Sequence, residues 1–450
     1  MNLSAALTLT GQDNPSRHFE TFTQTIDLSL IQQALSATGT ASIRNRKLPA
    51  DRVIFLIIGM ALFRNISIQA VCDHLHLTLP HQTLPNQTAQ SQSIRSSSLT
   101  QARDRLGIEP LKNLFELLTS KFTLEHTKFD TWRGLTIFGM DGSTMCVPDS
   151  IENREHFGVP ANGNRGESAY PQARLVGLMR LGSHRLTGLN IGKYSQGEVS
   201  LAEPLYALIP DQSVLIVDRG FLSWPRFWHH HQGGQQRHWL IRAKSNLRWK
   251  VIKELGPGDQ LVEIKFTHEA RKADPILPAT MQARVIAYQI PGFQPERLVT
   301  SLTDAILFPA VEVVGLYHER WEFELGLDEI KTHTLERVET VRSTTPDRVR
   351  QELWGLAITY NVVRQEMARI AGVLGVPALR LSYRWCLLLF RNLWSSAWVV
   401  ASGLIPKHLE QLVVDVENLL LPERRRGRRN PRAVKVKMSG YAKKSRAGAA

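Results

Sequence analysis

The sequence predicts an α/β core that is flanked by helical regions and interrupted by a β-rich segment. Three observations support this fold class. Apolar residues recur at helical spacing between about residues 19 and 77. Strand-like apolar runs then alternate with helical stretches from about 135 to 243. From 245 to 303 apolar and polar residues alternate as in strands, and no clear helix interrupts them.

The N-terminal region is expected to be helical. Pro49 marks a helix start, and the apolar run Val53–Phe63 follows it. A bilayer crossing needs about 20 apolar residues, so this shorter run predicts a buried helix rather than a membrane span. Residues 78–98 are polar and predict a linker, and a further helical stretch follows over 99–124.

The central region predicts strands joined by short helices. The runs at 135–149, 173–194 and 213–221 have the apolar content and turn signals of strands, and 238–243 is a shorter candidate. Helices are expected over 198–208 and 224–231. This order of elements is typical of an α/β core.

The stretch Tyr317–Lys331, which follows the helix start at Pro309, carries the strongest chemical signal. It holds Tyr317, Arg320, Glu324 and Lys331 at offsets that fall within about 60° of one helical face. A carboxylate can bind a metal ion, while Arg and Lys beside it can bind phosphate oxygens. The combination predicts an enzyme that cuts nucleic acid.

Two further acids stand where strands are predicted to end. Asp141 follows LTIFGM and Asp218 follows VLIV. With Glu324 they provide three carboxylates, which can hold two Mg²⁺ or Mn²⁺ ions about 3.5–4 Å apart. Each acid alone has an ordinary alternative: an Asp after a strand is commonly a turn residue or a cap, and a helical Glu is commonly solvated.

The charge distribution predicts a polyanionic partner. The net charge is +14 and the pI is near 9.9. Eleven Lys and Arg residues lie between Arg424 and Arg446, which leaves about +3 for the rest of the chain. This tail is interpreted equally well as a phosphate-binding segment or as a solvated basic tail. The three cysteines have neither disulfide nor zinc spacing, which suits a reducing cytoplasm.

Several motifs together resemble the DDE transposases of the bacterial insertion sequence four group. They are VDRGF at 217–221, HWLIRAK at 238–244 and the pattern Y-x2-R-x3-E-x6-K that begins at Tyr317. Residues 46–71, 99–107 and 428–444 also resemble that group, so the similarity extends over most of the chain. The resemblance implies a ribonuclease H-like catalytic core with a β-strand insertion between the second and third acids.

The resemblance also implies roles for individual residues. The catalytic and metal-binding acids would be Asp141, Asp218 and Glu324, with two Mg²⁺ or Mn²⁺ ions as cofactors. The phosphate-contacting residues would be Tyr317, Arg320 and Lys331. Some members of the group hold a flipped base with a Trp of the insertion; Trp249 is the only Trp in the predicted insertion, and its role is left open.

Three more residues are candidates for DNA binding by position alone. Arg219 adjoins Asp218, and Arg242 and Lys244 end a predicted strand. For Arg219 a surface ion pair is an equal alternative. The predicted regions are an N-terminal helical DNA-binding domain with linker at 1–98, the first part of the core at 99–244, the insertion at 245–305, the rest of the core at 306–375, and a C-terminal helical region with the basic tail at 376–450.

The expected function is cut-and-paste transposition by a bacterial cytoplasmic enzyme. Its partners would be double-stranded DNA, as terminal inverted repeats and as target, and a second copy of the chain in the synaptic complex. Two alternatives stay open. One is a catalytically silent DNA-binding regulator derived from a transposase, and the other is a general metal-dependent nuclease on the same core.

Overall fold

A mixed sheet of ten strands runs through the part of the chain that the computed structural model describes, which comprises residues 26–41, 47–78, 94–123, 129–160, 170–290, 294–336, 340–396 and 405–422. The strands are β1 (Thr131–Trp132), β2 (Leu135–Cys146), β3 (Gln172–Arg180), β4 (Arg185–Lys193), β5 (Ser213–Val217), β6 (Arg237–Arg242), β7 (Lys250–Gly256), β8 (Asp259–Lys265), β9 (Thr280–Tyr288) and β10 (Glu296–Thr300). Their spatial order is β4-β3-β2-β5-β6-β10-β9-β8-β7, and β1 pairs with β2.

Helices precede, interrupt and follow the strands. In chain order they are α1 (Leu28–Ala37), α2 (Ala50–Leu62), α3 (Ile68–His74), α4 (Ser96–Leu106), α5 (Glu109–Thr123), α6 (Ile151–Phe157), α7 (Glu198–Ala202), α8 (Trp224–Gln232), α9 (His268–Ala273), α10 (Ala310–His318), α11 (Trp321–Asp328), α12 (Pro346–Leu374), α13 (Tyr383–Ser396) and α14 (Ile405–Glu417). Short 3₁₀ turns cover Glu203–Leu208, Arg219–Phe221 and Ala378–Arg380, and a π-helix covers Glu329–Thr334.

The first five strands of the spatial order confirm the predicted ribonuclease H-like core. β2, β3 and β4 form an antiparallel meander, while β5 and β6 lie parallel to β2 on its other side. β5 has the sequence SVLIV and is buried along its whole length, as expected for a central parallel strand with both faces covered.

The β-rich insertion continues the same sheet. β10 pairs antiparallel with β6, and β9, β8 and β7 follow outward. One expectation was wrong: the helix α9 interrupts these strands. Thr267 caps α9, because its hydroxyl accepts a hydrogen bond from the backbone N–H of Ala270, and the sequence HEARKA contains good helix formers.

The predicted buried helix is α2, whose residues from Arg52 to Leu62 are all buried. It packs on the long helix α12, where a Cβ on Gly355 would lie 2.5 Å from Ile57. Arg64 and Glu352 form an ion pair with an N–O distance of 3.3 Å across the same contact. N-terminal and C-terminal segments therefore share one apolar core. The boundaries assigned to the five regions stay predictions.

The helix boundaries differ from the expected ones in two informative places. The stretch predicted over 99–124 is divided at Gly107, whose φ of +71° ends α4. The polar stretch predicted as a linker falls largely on residues outside the described ranges, as does the basic tail beyond residue 422. In the described ranges, no helix has the length and apolar content needed to cross a membrane.

The segment that carries the Tyr317 motif is not the one regular helix that the single-face prediction assumed. Between α10 and α11 the backbone tightens, and the N–H groups of Glu322 and Phe323 donate to carbonyls three residues earlier. After α11 the π-helix widens the turn that holds Lys331. The four motif residues are therefore placed by a tightened turn followed by a widened one.

Candidate active site

Strand register brings Asp141 and Asp218 to the same edge of the core sheet. Met140 on β2 pairs with Val217 on the parallel strand β5, and the two aspartates are the next residues along the chain. Met140 and Val217 are buried in the core. Because side chains alternate along a strand, Asp141 points to the opposite face from Met140.

Short backbone hydrogen bonds orient both aspartates. Asp218 Oδ1 accepts the N–H of Gly220 at 2.6 Å, so this residue caps the 3₁₀ turn that follows β5. A Cβ on Gly220 would lie 2.8 Å from that oxygen, and glycine permits the close approach. Asp141 Oδ1 accepts the N–H of Gly142 at 2.7 Å. Asp218 can therefore cap the turn with one oxygen and still offer its other oxygen to the site.

Arg320 links the first and third acids. Its Nη1 lies 3.6 Å from Asp141 Oδ2, and its Nη2 donates to Glu324 Oε1 at 3.0 Å. The Glu324 side chain is 34% exposed and that of Asp141 is 22% exposed, so both remain accessible to solvent. The structure thus brings Asp141, Arg320 and Glu324 into one cluster beside Asp218.

Tyr317 and Lys331 lie at the two ends of this cluster. Tyr317 is buried, and burial raises the pKa of its phenol, while nearby Arg320 opposes that change. Lys331 Nζ donates to Ser143 Oγ at 2.5 Å and to the Thr144 carbonyl at 3.1 Å. Burial lowers the pKa of Lys331. The ammonium group is therefore held against β2, the strand that carries Asp141.

Ser143 was missed as a site residue, although a signal for it exists. It lies two positions after Asp141, and alternate residues of a strand share one face. A side chain on the face of Asp141 is therefore expected to meet the helix that carries Glu324. The contact with Lys331 confirms that geometry.

Glu198, at the start of α7, is a fourth acid that the sequence did not reveal. A Cβ on Gly142 would lie 2.4 Å from its side chain, so Glu198 packs against the face of β2 opposite to the Asp141 side chain, near enough for its charge to raise the pKa of Asp141. Its Oε1 accepts a hydrogen bond from Arg174 at 2.9 Å. An acid in the first turn of a helix is common for reasons of the helix dipole alone, so its position gave no signal.

The electrostatics of Asp141 distinguish it from an ordinary surface acid. Burial raises the pKa of Asp141, and the carboxylates of Asp218 and Glu198 raise it further. The Gly142 N–H and Arg320 oppose this, and the resulting pKa is about 6. The carboxyl is thus held where its ionised form is incompletely neutralised.

The donor set fits a hard divalent cation. In the described residues no three His, Cys, Asp or Glu side chains already form a group that could hold a metal. Asp141 and Glu324 are instead drawn to the Arg320 guanidinium, a cation of the protein itself. Carboxylate oxygens are the ligands that Mg²⁺ and Mn²⁺ prefer, and the pKa of Asp141 is raised mainly by burial and further by the neighbouring acids Asp218 and Glu198.

The other predicted DNA-binding residues have different surroundings. Arg219 and Lys244 make no side-chain hydrogen bond or ion pair with any residue in the described ranges, and Arg219 is exposed. Arg242 instead pairs with Glu296 across β6 and β10, with Nε 2.6 Å from Oε2. Near the insertion edge, the Arg297 guanidinium lies 4.7 Å from the centre of the Trp249 ring. DNA contact by these residues stays a prediction.

Known proteins resemble this chain along most of its length. Residues 16–116 match the family model described as insertion element 4 transposase N-terminal, and residues 132–362 match the one described as transposase DDE domain. The transposase InsG for insertion sequence element IS4 of Escherichia coli (strain K12) is 33% identical over 419 residues, which cover 92% of each chain.

Two further relatives are more distant or shorter. The InsZ protein of the same strain is 34% identical over 242 residues, which cover 54% of this chain and 77% of InsZ. A piggyBac transposase, solved by cryo-EM as a synaptic complex with hairpin DNA, is 13% identical, with a TM-score of 0.43 over 92% of this chain and 87% of that one. The two family models and the long match to InsG establish that the chain belongs to the insertion element 4 family of DDE transposases.

Proposed function

We propose that this transposase binds the terminal inverted repeats of its element, cuts the DNA at those ends and joins them to a target. The observation that carries the proposal is the cluster in which Arg320 contacts both Asp141 and Glu324 beside Asp218. Three carboxylates and a guanidinium that lie together support a shared role in binding metal ions and phosphate. The family relationship favours this function over a catalytically silent regulator.

Asp141, Asp218 and Glu324 would hold Mg²⁺ or Mn²⁺, in our proposal as two ions. Bound there, such ions activate the attacking oxygen and stabilise the leaving oxygen of a phosphodiester. The residues themselves fix the geometry: the Gly142 and Gly220 N–H groups each hold one carboxylate oxygen in place. Much of the rate enhancement then comes from orientation.

Arg320 and Lys331 would position the phosphates of the scissile strand. Arg320 already lies among the acids, and Lys331 is held against β2 by Ser143 and Thr144. The Tyr317 phenol would pack beside them. In the hydrolytic step a water oxygen would attack phosphorus, and the bond between phosphorus and the 3′ oxygen would break, which leaves a 3′-OH and a 5′ phosphate. In strand transfer that 3′-OH would attack a phosphate of the target, lose its proton and form a new phosphodiester, while the target's own 3′ oxygen leaves as a 3′-OH.

The proposed partners follow from the same reaction. The N-terminal helices would contact the element end, and the basic segment 424–446 would add phosphate contacts whose strength falls with salt. Pairing two ends requires two active sites, so we propose a homodimer in the synaptic complex.

Single-turnover cleavage of a duplex that carries the element end tests the proposal. Asp141→Asn, Asp218→Asn and Glu324→Gln are each expected to slow Mg²⁺-dependent cleavage by about 10³-fold or more while end binding changes little. Asp211→Asn is the matched control, because Asp211 lies just before the opposite end of β5 and is exposed. Cleavage at the wild-type rate by any of the three variants would remove that residue from the site.

The same assay separates the alternatives. A regulator would bind the end and leave it intact even as the wild-type protein. A general nuclease would cut a duplex of scrambled end sequence as fast as the native one. Inverted repeats that flank the coding region, with short direct duplications outside them, would independently support mobility.

A further inference from the structure

A second group of charged side chains surrounds Glu329, five residues after Glu324. Glu329 Oε2 accepts a hydrogen bond from the Tyr360 hydroxyl at 2.9 Å and pairs closely with the buried guanidinium of Arg364. His184, in the turn between β3 and β4, lies 3.4 Å from the same oxygen through Nδ1. Its Nε2 is 2.8 Å from Glu322. α11 and the π-helix that follows it are thus bound to the turn between β3 and β4 and to α12.

Glu329 stays ionised because the buried guanidinium of Arg364 lies beside it. Burial alone would raise the pKa of Glu329, but Arg364 and His184 lower it to about 2. Arg364 also faces the rings of Tyr360 and Tyr383, with its guanidinium carbon 5.9 and 5.2 Å from their centres. Removing one partner from such a group leaves the other charge buried without compensation.

The group holds the π-helix at both ends. Glu329 is its first residue, and Thr334 is its last, with its hydroxyl 2.7 Å from the Tyr383 hydroxyl. Lys331 lies between these two attachments and reaches Ser143. A π-helical turn is less favourable than regular helix and persists where its surroundings stabilise it. The attachments therefore set the direction in which Lys331 points.

We propose that Glu329 and Arg364 are positioning residues that hold the π-helical turn so that Lys331 faces the scissile phosphate. The inference rests on the proposed cleavage function and deepens it. Neither residue touches the substrate. They act through Lys331, and their effect on the reaction passes through that one side chain.

A double-mutant cycle tests this route of action. Cleavage of the end-bearing duplex is measured in single turnover at saturating protein for wild type, Glu329→Gln, Lys331→Ala and the double variant. We expect Glu329→Gln to slow cleavage at least about tenfold in the wild-type background. In the Lys331→Ala background the same change should slow it by less than about twofold, because residues that act through one group are not additive.

Asp259→Asn is the matched control for loss of a buried ion pair. Asp259 pairs with Arg284 through two hydrogen bonds of 2.7 and 2.6 Å, on β8 and β9 of the insertion. It should lower the melting temperature while leaving the single-turnover rate near wild type. If Asp259→Asn slows cleavage as much as Glu329→Gln, the effect is general destabilisation and the proposal fails.

A milder variant keeps the test open if Glu329→Gln does not fold. Tyr360→Phe removes only the 2.9 Å hydrogen bond and should slow cleavage a few-fold, again only when Lys331 is present. Losses that multiply in both backgrounds would overturn the proposal. So would a Lys331→Ala variant that cleaves at the wild-type rate, and that result leaves the proposed function intact. An inert wild-type protein overturns the proposed function, and this inference with it.

Discussion

Asp141, on strand β2, and Glu329, the first residue of the π-helix after α11, are two carboxylates whose environments have opposite effects on the carboxyl pKa. Burial and the neighbouring acids Asp218 and Glu198 raise the pKa of Asp141 to about 6. Burial would also raise the pKa of Glu329, but Arg364 and His184 lower it to about 2. A carboxylate whose charge is poorly compensated can gain from binding a cation. A carboxylate that is already paired with a buried guanidinium instead stabilises the fold.

The largest effect is expected for substitution of Asp141, which should lower the cleavage rate but raise the stability of the fold. Asp141→Asn should slow cleavage about 10³-fold or more, yet at pH 7 without metal it should stabilise the fold by about 1–3 kcal/mol. Because the folded pKa lies above the unfolded value, ionisation penalises the folded state. That penalty is absent below about pH 4, grows towards pH 6 and is complete above it.

Thermal unfolding in EDTA at pH 4 and pH 7 measures this difference. The melting temperature of Asp141→Asn should exceed that of wild type at pH 7, and the gap should close at pH 4. Asp211→Asn, which removes an exposed acid, should show no such pattern. A lower melting temperature for Asp141→Asn at pH 7 would contradict the assignment of an under-neutralised site.

Glu329→Gln should have the opposite effect on stability. We expect a loss of about 2–3 kcal/mol at pH 7, because the Arg364 charge is left buried. The folded pKa lies below the unfolded value, so the ion pair contributes fully above about pH 4.5 and less as the pH falls towards 2. Urea unfolding at pH 7 and pH 4 checks this. If the difference in unfolding free energy between wild type and Glu329→Gln is larger at pH 4 than at pH 7, the pKa of Glu329 is not lowered by folding.

Metal affinity should follow the pKa of Asp141. From pH 7 to pH 5 the Mg²⁺ concentration that supports half-maximal cleavage should rise about tenfold, because a proton must leave Asp141 when the cation binds. Tyr360→Phe should show the same pH profile, since Glu329 stays ionised across this range. A flat profile for the wild type would argue against Asp141 as a ligand.

The smallest expected effect concerns the support of Lys331. Ser143→Ala removes one of its two acceptors and leaves the Thr144 carbonyl. Cleavage should slow only about 3- to 10-fold, because the Thr144 carbonyl still accepts a hydrogen bond from the ammonium group. Single-turnover rates measure it. If Ser143→Ala slows cleavage as much as Lys331→Ala does, Ser143 does more than hold Lys331 in place.

The core and its acids were predictable because strands carry local signals. The apolar runs before Asp141 and Asp218 predicted buried strands, and parallel register then placed both acids at one edge. The spacing of Glu324 to Tyr317, Arg320 and Lys331 made it a candidate, and Arg320 contacts both Glu324 and Asp141; its role as a metal ligand stays a prediction.

The remaining features depend on contacts distant in sequence. Glu198 comes near Asp141 through packing against Gly142 on the opposite face of β2, and Glu329 contacts Arg364 and His184 from other elements. The π-helix has no pattern of its own, because its register is set by these attachments. The helical-face argument assumed a regular helix, whereas a tightened turn and a π-helix interrupt this segment.

The packing of α2 on α12 has a consequence for the life of the chain on the ribosome. At roughly 5–20 residues per second, about 300 residues of synthesis separate the two helices, a delay of about 15–60 s. Throughout that time the apolar side chains of α2 lack the partner that Gly355 and its neighbours provide. Glu329 and its partner Arg364 also emerge late. A chain released before α12 is made therefore has an exposed apolar helix, and its Glu329 lacks the buried guanidinium of Arg364.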